Sequence, residues 1–576
     1  MKFFHVYDER YLEGLEKNNL INKDTGFKIQ HIFSMANEFK FNEIAKKGSK
    51  LHSFIKENKY PFYVDRAAGG CLYHKYDFDK SLIEEYKNIL GDWFLGFQLH
   101  ESSSCLMDND WKTIKNSMGG KSGPYTLEEL ERCVPTGTTT YYDEVLKQLG
   151  MLTIDEVAEN GWCVPETIED CFEDTKRFVK SRLEKWGGVI VPCDSFYLMS
   201  KIHDELGIKT FMPEVGWQIP MMRMEVAVAR GTAENSGKTW GTYYEVWLDT
   251  VGVKCTLPSY NKSPANEWHL PQEKHNDDFT NFGPNGGSSR HLQNRIYYYS
   301  LMAGAHYMGE EWGLFCSYSD MNDFTLSPYG EAKKNFIHKA ETLRGIKAEV
   351  PFAIVLPKKY SCVQIREKIY NYKPNTYMTI HLSKEDAEYI NHIEAVLENV
   401  FNKHDDEKPV LEDRVICNNG FGDVFDVIYE DADDKVFNKY KYLIDATKDG
   451  DFIAKKPEFA NKTLKSDDID KLSVEIKKLT KEVMPLYVDG RSTWLVSYDE
   501  NGKRYLSVFN NEGNTRTYQK GDEIDNSFDD VLTITLKEPS EFKLVAEGAF
   551  KSKLTRKDDL TYILEVPATS FAIFEF

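Results

Sequence analysis

KTWGTYYEVW, residues 238–247, reads as a buried β-strand that ends on a carboxylate, with Glu245 standing among Trp240, Tyr243, Tyr244 and Trp247. Aromatic and β-branched residues in so short a run favour a pleated strand. A carboxylate at its end needs a reason, because burying a charge without partners is costly. Seven other runs share the texture: FFHVY (3–7), KIQHIFSM (28–35), PFYVDRAA (61–68), FLGFQLHE (94–101), GGVIVPCDS (187–195), KTFMPEVG (209–216) and HYMGEEWG (306–313). Amphipathic stretches such as DKSLIEEYKNILG, CFEDTKRFVKSRLEKWG and SSRHLQNRIYYYSLMAG lie between them, and SPYGEAKKNFIHKAETLRG follows the last. Strand and helix in alternation predict parallel strands joined by crossover helices, and eight such units close a (β/α)8 TIM barrel over residues 1–345. An open doubly wound sheet would carry a glycine-rich phosphate loop after its first strand, and VYDERYLEGLE has none.

The rest of the chain of 576 residues changes texture twice. Residues 346–481 contain the strand-like EVPFAIVLPKKYS, the helical SKEDAEYINHIEAVLENVFNKH and the strand-like YKYLIDAT, which together predict a small α/β layer domain. From 482 to 576 short strands separated by turns such as DENGK predict a C-terminal β-sandwich. The segment 102–186, between the fourth and fifth strands, is longer than a crossover requires and predicts an inserted lid or substrate-shaping element.

Composition narrows the functions open to the chain. Lys plus Arg number 72 against 92 Asp plus Glu, a net charge of −20 that opposes nucleic acid and anionic membranes. No run of 18 apolar residues is present, and the opening MKFFHVYDER lacks the pattern of a secretion signal, so a cytoplasmic protein is expected. Ten cysteines are scattered without a C-x-x-C pair, and Cys71, Cys193 and Cys316 lie in apolar surroundings, as reduced thiols do. His269 and His275 lack helical metal-ligand spacing, so neither a metal nor a cofactor is expected.

In a TIM barrel the active site forms where strands end and βα loops begin. Acids fall at those ends: Asp65, followed by Arg66, on the third strand, then Glu101, Asp194, Glu214, Glu245, and on the eighth Glu310 and Glu311. One such acid is often only a helix N-cap. Acids on successive strands, interleaved with Phe97, Trp217, Tyr243, Tyr244, Trp247 and Trp312, suit a pocket for sugar rings. The polar loop SPANEWHLPQEKHNDDF, with Trp268, adds a further candidate subsite. Glycoside cleavage needs one protonated carboxyl and one ionised carboxylate. Glu101 as the acid and Glu245 as the nucleophile or base are the candidate catalytic pair, and Asp194 or Glu214 is the alternative base. Asp65, Arg66, Asp194, Glu214, Trp217, Tyr243, Trp247, Trp268, Glu310 and Trp312 are candidate substrate ligands. Strict alternation along the fourth strand would turn His100 away from Glu101, which gives it a secondary place.

A carboxylate ending the fourth strand and another ending the seventh resemble the 4/7, or clan A, superfamily of barrel glycoside hydrolases, whose acid/base and nucleophile stand there. Trp312 resembles the tryptophan that many members place beneath the sugar. FLGFQLHE is similar to the strand-four acid segment of glycoside hydrolase family 98, an inverting group acting on galactosides. The order of barrel, α/β domain and β domain resembles glycoside hydrolase family 42, the β-galactosidases, whose flavodoxin-like second domain supports oligomers. This implies a hydrolase acting on a small carbohydrate, with a homo-oligomer (dimer or trimer) as its assembly. The clan usually has Asn before the strand-four acid, where this chain has His100. A catalytically silent carbohydrate-binding protein, or a barrel lyase or isomerase acting on sugars, are the alternatives.

Overall fold

The computed structural model describes residues 1–29, 37–65, 78–100, 115, 118–129, 164–194, 197–215, 222–246, 288–311, 317–320, 322–362, 376–377, 380–381, 383–401, 420–447, 450–517 and 521–576. Seven of the eight predicted barrel strands lie within or overlap most of their predicted runs, whereas the second falls at Thr25–Ile29, largely ahead of the predicted 28–35, of which 30–35 lie outside the described residues. The units run β1 (Lys2–Val6), α1 (Glu9–Lys17), β2 (Thr25–Ile29), α2 (Asn37–Ile44), α3 (Lys50–Asn58), β3 (Phe62–Val64), α4 (Lys80–Leu90), β4 (Phe94–His100) and α5 (Ile168–Lys185). They continue through β5 (Ile190–Cys193), α6 (Ser200–Glu205), β6 (Thr210–Phe211, resuming at Glu214–Val215), α7 (Met222–Ser236), β7 (Thr239–Glu245), α8 (Arg290–Met302), β8 (Tyr307–Glu311) and α9 (Pro328–Ala340). All neighbouring strands pair in parallel, in the order β5-β4-β3-β2-β1-β8-β7-β6. Backbone bonds from Met212 N to Pro192 O (3.2 Å) and from Glu214 N to Asp194 O (3.5 Å) join the free edges, β6 and β5, so the sheet curls into a nearly closed TIM barrel. Several helices begin on a side-chain cap: Asp8, Ser49, Asp79, Thr167, Ser289 and Ser327 each accept from a backbone N–H of the first turn.

The lumen is packed rather than hollow. Phe4, Tyr63, Leu95, Val191, Cys193, Met212, Tyr243 and Tyr307 form one buried cluster inside it. Three tyrosines fit because the wall is thinned between them: a Cβ on Gly309 would stand 2.8 Å from Tyr63 Oη and 3.0 Å from Tyr243 Cδ2. Gly96 does something different. Its φ of +88° lies in the region L side chains avoid, and a Cβ there would meet Val189 O at 2.1 Å. The β3–β4 register shifts at this point, which marks a bulge. Past it Phe97 packs outward, stacked on Phe78 and edge-on to Phe41. Phe97 is therefore part of the barrel–helix core and not the sugar platform that its sequence position suggested.

Beyond the barrel, four parallel strands in the order Phe425–Tyr429, Phe352–Leu356, Tyr442–Asp445, Thr463–Lys465 form a second sheet. Two antiparallel sheets then make the chain's end β-rich. One unites Thr493–Tyr498, Arg504–Phe509, Phe571–Glu575 and Lys543–Glu547 with the short Lys347–Ala348. The other unites Leu486–Asp489, Asp530–Leu536, Thr561–Val566 and Lys553–Arg556. α7 is buried on every side from Met222 to Ala233, the mark of a helix enclosed by neighbours rather than facing water. Its Arg230 reaches Asp426 Oδ1 (2.7 Å) and Phe425 O (2.9 Å) on the second sheet, and Arg223 reaches Phe401 O and Gly422 O, both at 3.0 Å. No helix among the described residues is long and apolar enough to cross a membrane.

Candidate active site

The C-terminal end of the barrel collects ionisable side chains from strand after strand, in the arrangement that period-2 alternation dictates. Tyr243 belongs to the lumen cluster, and Glu245 stands two residues further along β7. Glu214 follows Met212 by two in the same way, and Glu311 follows Gly309 on β8. His100 demonstrates that these groups meet. Its Nε2 lies 3.7 Å from Glu214 Oε1 and 4.0 Å from Glu311 Oε1, although β4 borders neither β6 nor β8. The contacts cross the lumen. Glu245 and Glu311 are register partners on β7 and β8, and all four side chains are buried.

Beneath this layer Lys28 on β2 and Asp65, just past β3, form a buried ion pair. Tyr243 Oη donates to Asp65 Oδ1 and Oδ2 at 3.0 and 3.1 Å, and the Lys28 ammonium sits 5.0 Å from the Tyr243 ring centre. Lys28 Nζ also donates to the Glu310 carbonyl. The His100 ring meets that of Tyr243 edge to face at 5.7 Å, which joins the two layers. Both ionic groups are dry, so each depends on the other for its charge.

The sequence-derived candidates divide accordingly. Glu214 and Glu245 stand at the mouth with His100, and Asp194 is buried just beyond β5. Asp65 and Tyr243 are at the barrel centre but engage each other and Lys28. Tyr243 thus gives its single hydroxyl proton to Asp65, and Tyr244, facing α8, shares a hydrogen bond with Ser288 Oγ. Glu310 departs from expectation. Its carboxylate turns to the helices, where Lys333 Nζ pairs with it at 2.6 Å and the hydroxyls of Tyr297 and Tyr329 donate to it. Its neighbour Glu311 takes the lumen position. Glu101, Arg66, Trp217, Trp247, Trp268 and Trp312 lie outside the described residues.

Four residues went unnoticed or were undervalued in the sequence: Lys28, His100, Cys193 and Glu311. Gly96 in the middle of FLGFQLHE was the available signal for His100, because an isolated glycine in a strand often marks a bulge, and a bulge reverses which residues face inward. Nothing in local sequence marks Cys193, whose register partner across β4–β5 is His100.

No protein-family model matches the chain. No curated protein matches it either. Among solved structures it is similar to alpha-L-fucosidase isoenzyme 2 from Paenibacillus thiaminolyticus, with a TM-score of 0.43 and 10% sequence identity over 99% of this chain and 96% of that one. A likeness that distant carries no argument about chemistry.

Proposed function

We propose that the protein is a glycoside hydrolase whose reaction takes place at the C-terminal mouth of the barrel. The observation that carries this reading is the meeting of Glu214 and Glu311 at His100, with Glu245 beside Glu311 as its register partner. Two carboxylates touched by one imidazole are no further apart than the sum of their distances to it. That keeps Glu214 and Glu311 inside the limit of roughly 9.5 Å over which paired carboxyls cleave glycosides. Acids crowded in a dry site favour a division in which one keeps its proton to release the leaving group while another stays charged. Glu245 is the proposed nucleophile or base and Glu101 the proposed acid, with Glu214 or Glu311 as the partner should Glu101 not serve. The substrate is a small oligosaccharide or glycoside, of galactoside type under the family 42 and family 98 resemblances, handled in the cytoplasm by a homo-oligomer.

The test is hydrolysis of a panel of aryl α- and β-glycosides and natural oligosaccharides by wild type, Glu101→Gln, Glu245→Gln, Glu214→Gln and Glu311→Gln, with the first-formed anomer read by NMR. The two catalytic carboxyls are expected to stand out by losses on the order of a hundredfold to ten-thousandfold in kcat. Retention or inversion in the product assigns Glu245 as nucleophile or base. A wild type that binds sugars and cleaves none of them would replace the hydrolase with a carbohydrate-binding protein.

A further inference from the structure

We propose that His100, Cys193 and Glu214 form the binding site of one divalent transition-metal ion, of the zinc class, at the top of the barrel lumen. The three side chains come from three consecutive strands and offer one nitrogen, one sulfur and one oxygen, all within 4.8 Å of one another. They are 1%, 0% and 1% exposed. The lumen packing beneath and the strand register of His100 against Cys193 hold them in place.

The donor set selects the ion. Imidazole and thiolate with a single carboxylate suit zinc or cobalt, whereas magnesium and calcium call for oxygen ligands throughout. Tetrahedral zinc, with bonds of about 2.0 to 2.3 Å, spaces its ligand atoms roughly 3.3 to 3.8 Å apart. The 3.7 Å between His100 Nε2 and Glu214 Oε1 is within a few tenths of an ångström of that spacing. Cys193 Sγ, within 4.8 Å of the other two atoms, completes the set by a closing movement on the order of 1 Å, within the reach of side-chain rotation. Binding expels the thiol proton, so a dication replaces the proton and offsets the buried negative charge of Glu214. Three protein ligands leave a fourth position for water or a hydroxyl group. Glu311 Oε1 lies 4.0 Å from the same His100 Nε2. Spacing along the chain could not show this site, because the ligands are 93 and 21 residues apart and meet only through strand order.

The experiment uses the full chain. Metal content is measured by mass spectrometry on protein as purified, after chelation, and after return of zinc or cobalt. The cobalt form is then examined for the near-ultraviolet band of a cobalt–thiolate bond. One ion per chain is expected. The band should vanish in Cys193→Ser and persist in Cys362→Ser, whose thiol lies elsewhere. His100→Gln and Glu214→Gln should weaken metal affinity by more than the roughly 10- to 100-fold typical of losing a supporting outer partner, and they report on the same ion should Cys193→Ser fail to fold. Wild type that takes up no stoichiometric zinc or cobalt overturns the proposal, as does a thiolate band unchanged in Cys193→Ser. None of these readings uses a sugar. Hydrolysis without metal therefore removes the ion alone, and metal without hydrolysis removes only the proposed activity.

Discussion

Asp65 shows how a residue can sit at the centre of a barrel and still belong to its foundation. Its carboxylate neutralises the buried Lys28 ammonium and accepts the Tyr243 hydroxyl, so truncation leaves a dry, unpaired cation. Asp65→Ala is expected to cost about 3 to 5 kcal/mol of stability in urea unfolding. Tyr243→Phe, which removes one hydrogen bond and keeps the ring, should cost about 1 kcal/mol. Were Asp65 instead mainly a substrate ligand, Asp65→Ala would raise KM with little loss of stability. The buried histidines act through the proton balance. Burial, with Lys333 nearby, holds His5 down at about 3, and burial, with Lys238 nearby, does the same to His203. The unfolded chain takes up these protons near pH 6.5, whereas the fold refuses them until about pH 3. Their contribution to stability is thus complete above pH 6.5 and drains as the pH falls toward 3. Unfolding midpoints measured from pH 7.5 to 4.5 should decline, and His203→Gln should flatten the slope provided the variant folds.

The bulge in β4 is the element on which the site turns. Gly96 alone tolerates the positive φ and the contact with Val189, and its extra residue sends Phe97 outward and His100 inward. Gly96→Ala is expected to lose about 1 to 3 kcal/mol from backbone strain, with the carbonyl clash added, and to displace His100. An NMR titration of the His100 ring that matches wild type would refute that link. The same element marks how far sequence reading reached. The barrel was legible because every strand has its own aromatic and β-branched texture and each is followed by a helix-like stretch, information held within a dozen residues. The acids at the strand ends were legible for the same reason. The orientation of His100 was not, since it was read by alternation from Glu101, which was taken to face the lumen. Glu310 and Glu311 could not be told apart either. Adjacent positions on a strand face opposite ways, and only the helices packed outside decide which carboxylate meets Lys333.

Across the whole molecule, buried guanidinium groups do the fastening. Arg230 on α7 meets Asp426, Arg295 on α8 donates to Asn511 (3.1 Å), and the Tyr299 hydroxyl on α8 donates to Asp423 (2.8 Å). These partners are well over a hundred residues away in the chain, so no local pattern announces them. Arg230→Met leaves Asp426 buried without its cation and should cost about 3 to 5 kcal/mol, whereas the pair Arg230→Met with Asp426→Leu should recover much of that in urea unfolding. Independent sites would instead give costs that simply add. The enclosure of α7 has a further consequence, for the history of the chain. A helix with no watery side gives the barrel no outer face of its own at this point, so the barrel cannot be exchanged like a cassette among other proteins. Residues 1–345 expressed alone should collect in the insoluble fraction, and any insertion or recombination that this lineage tolerates should fall outside the seam that α7 closes.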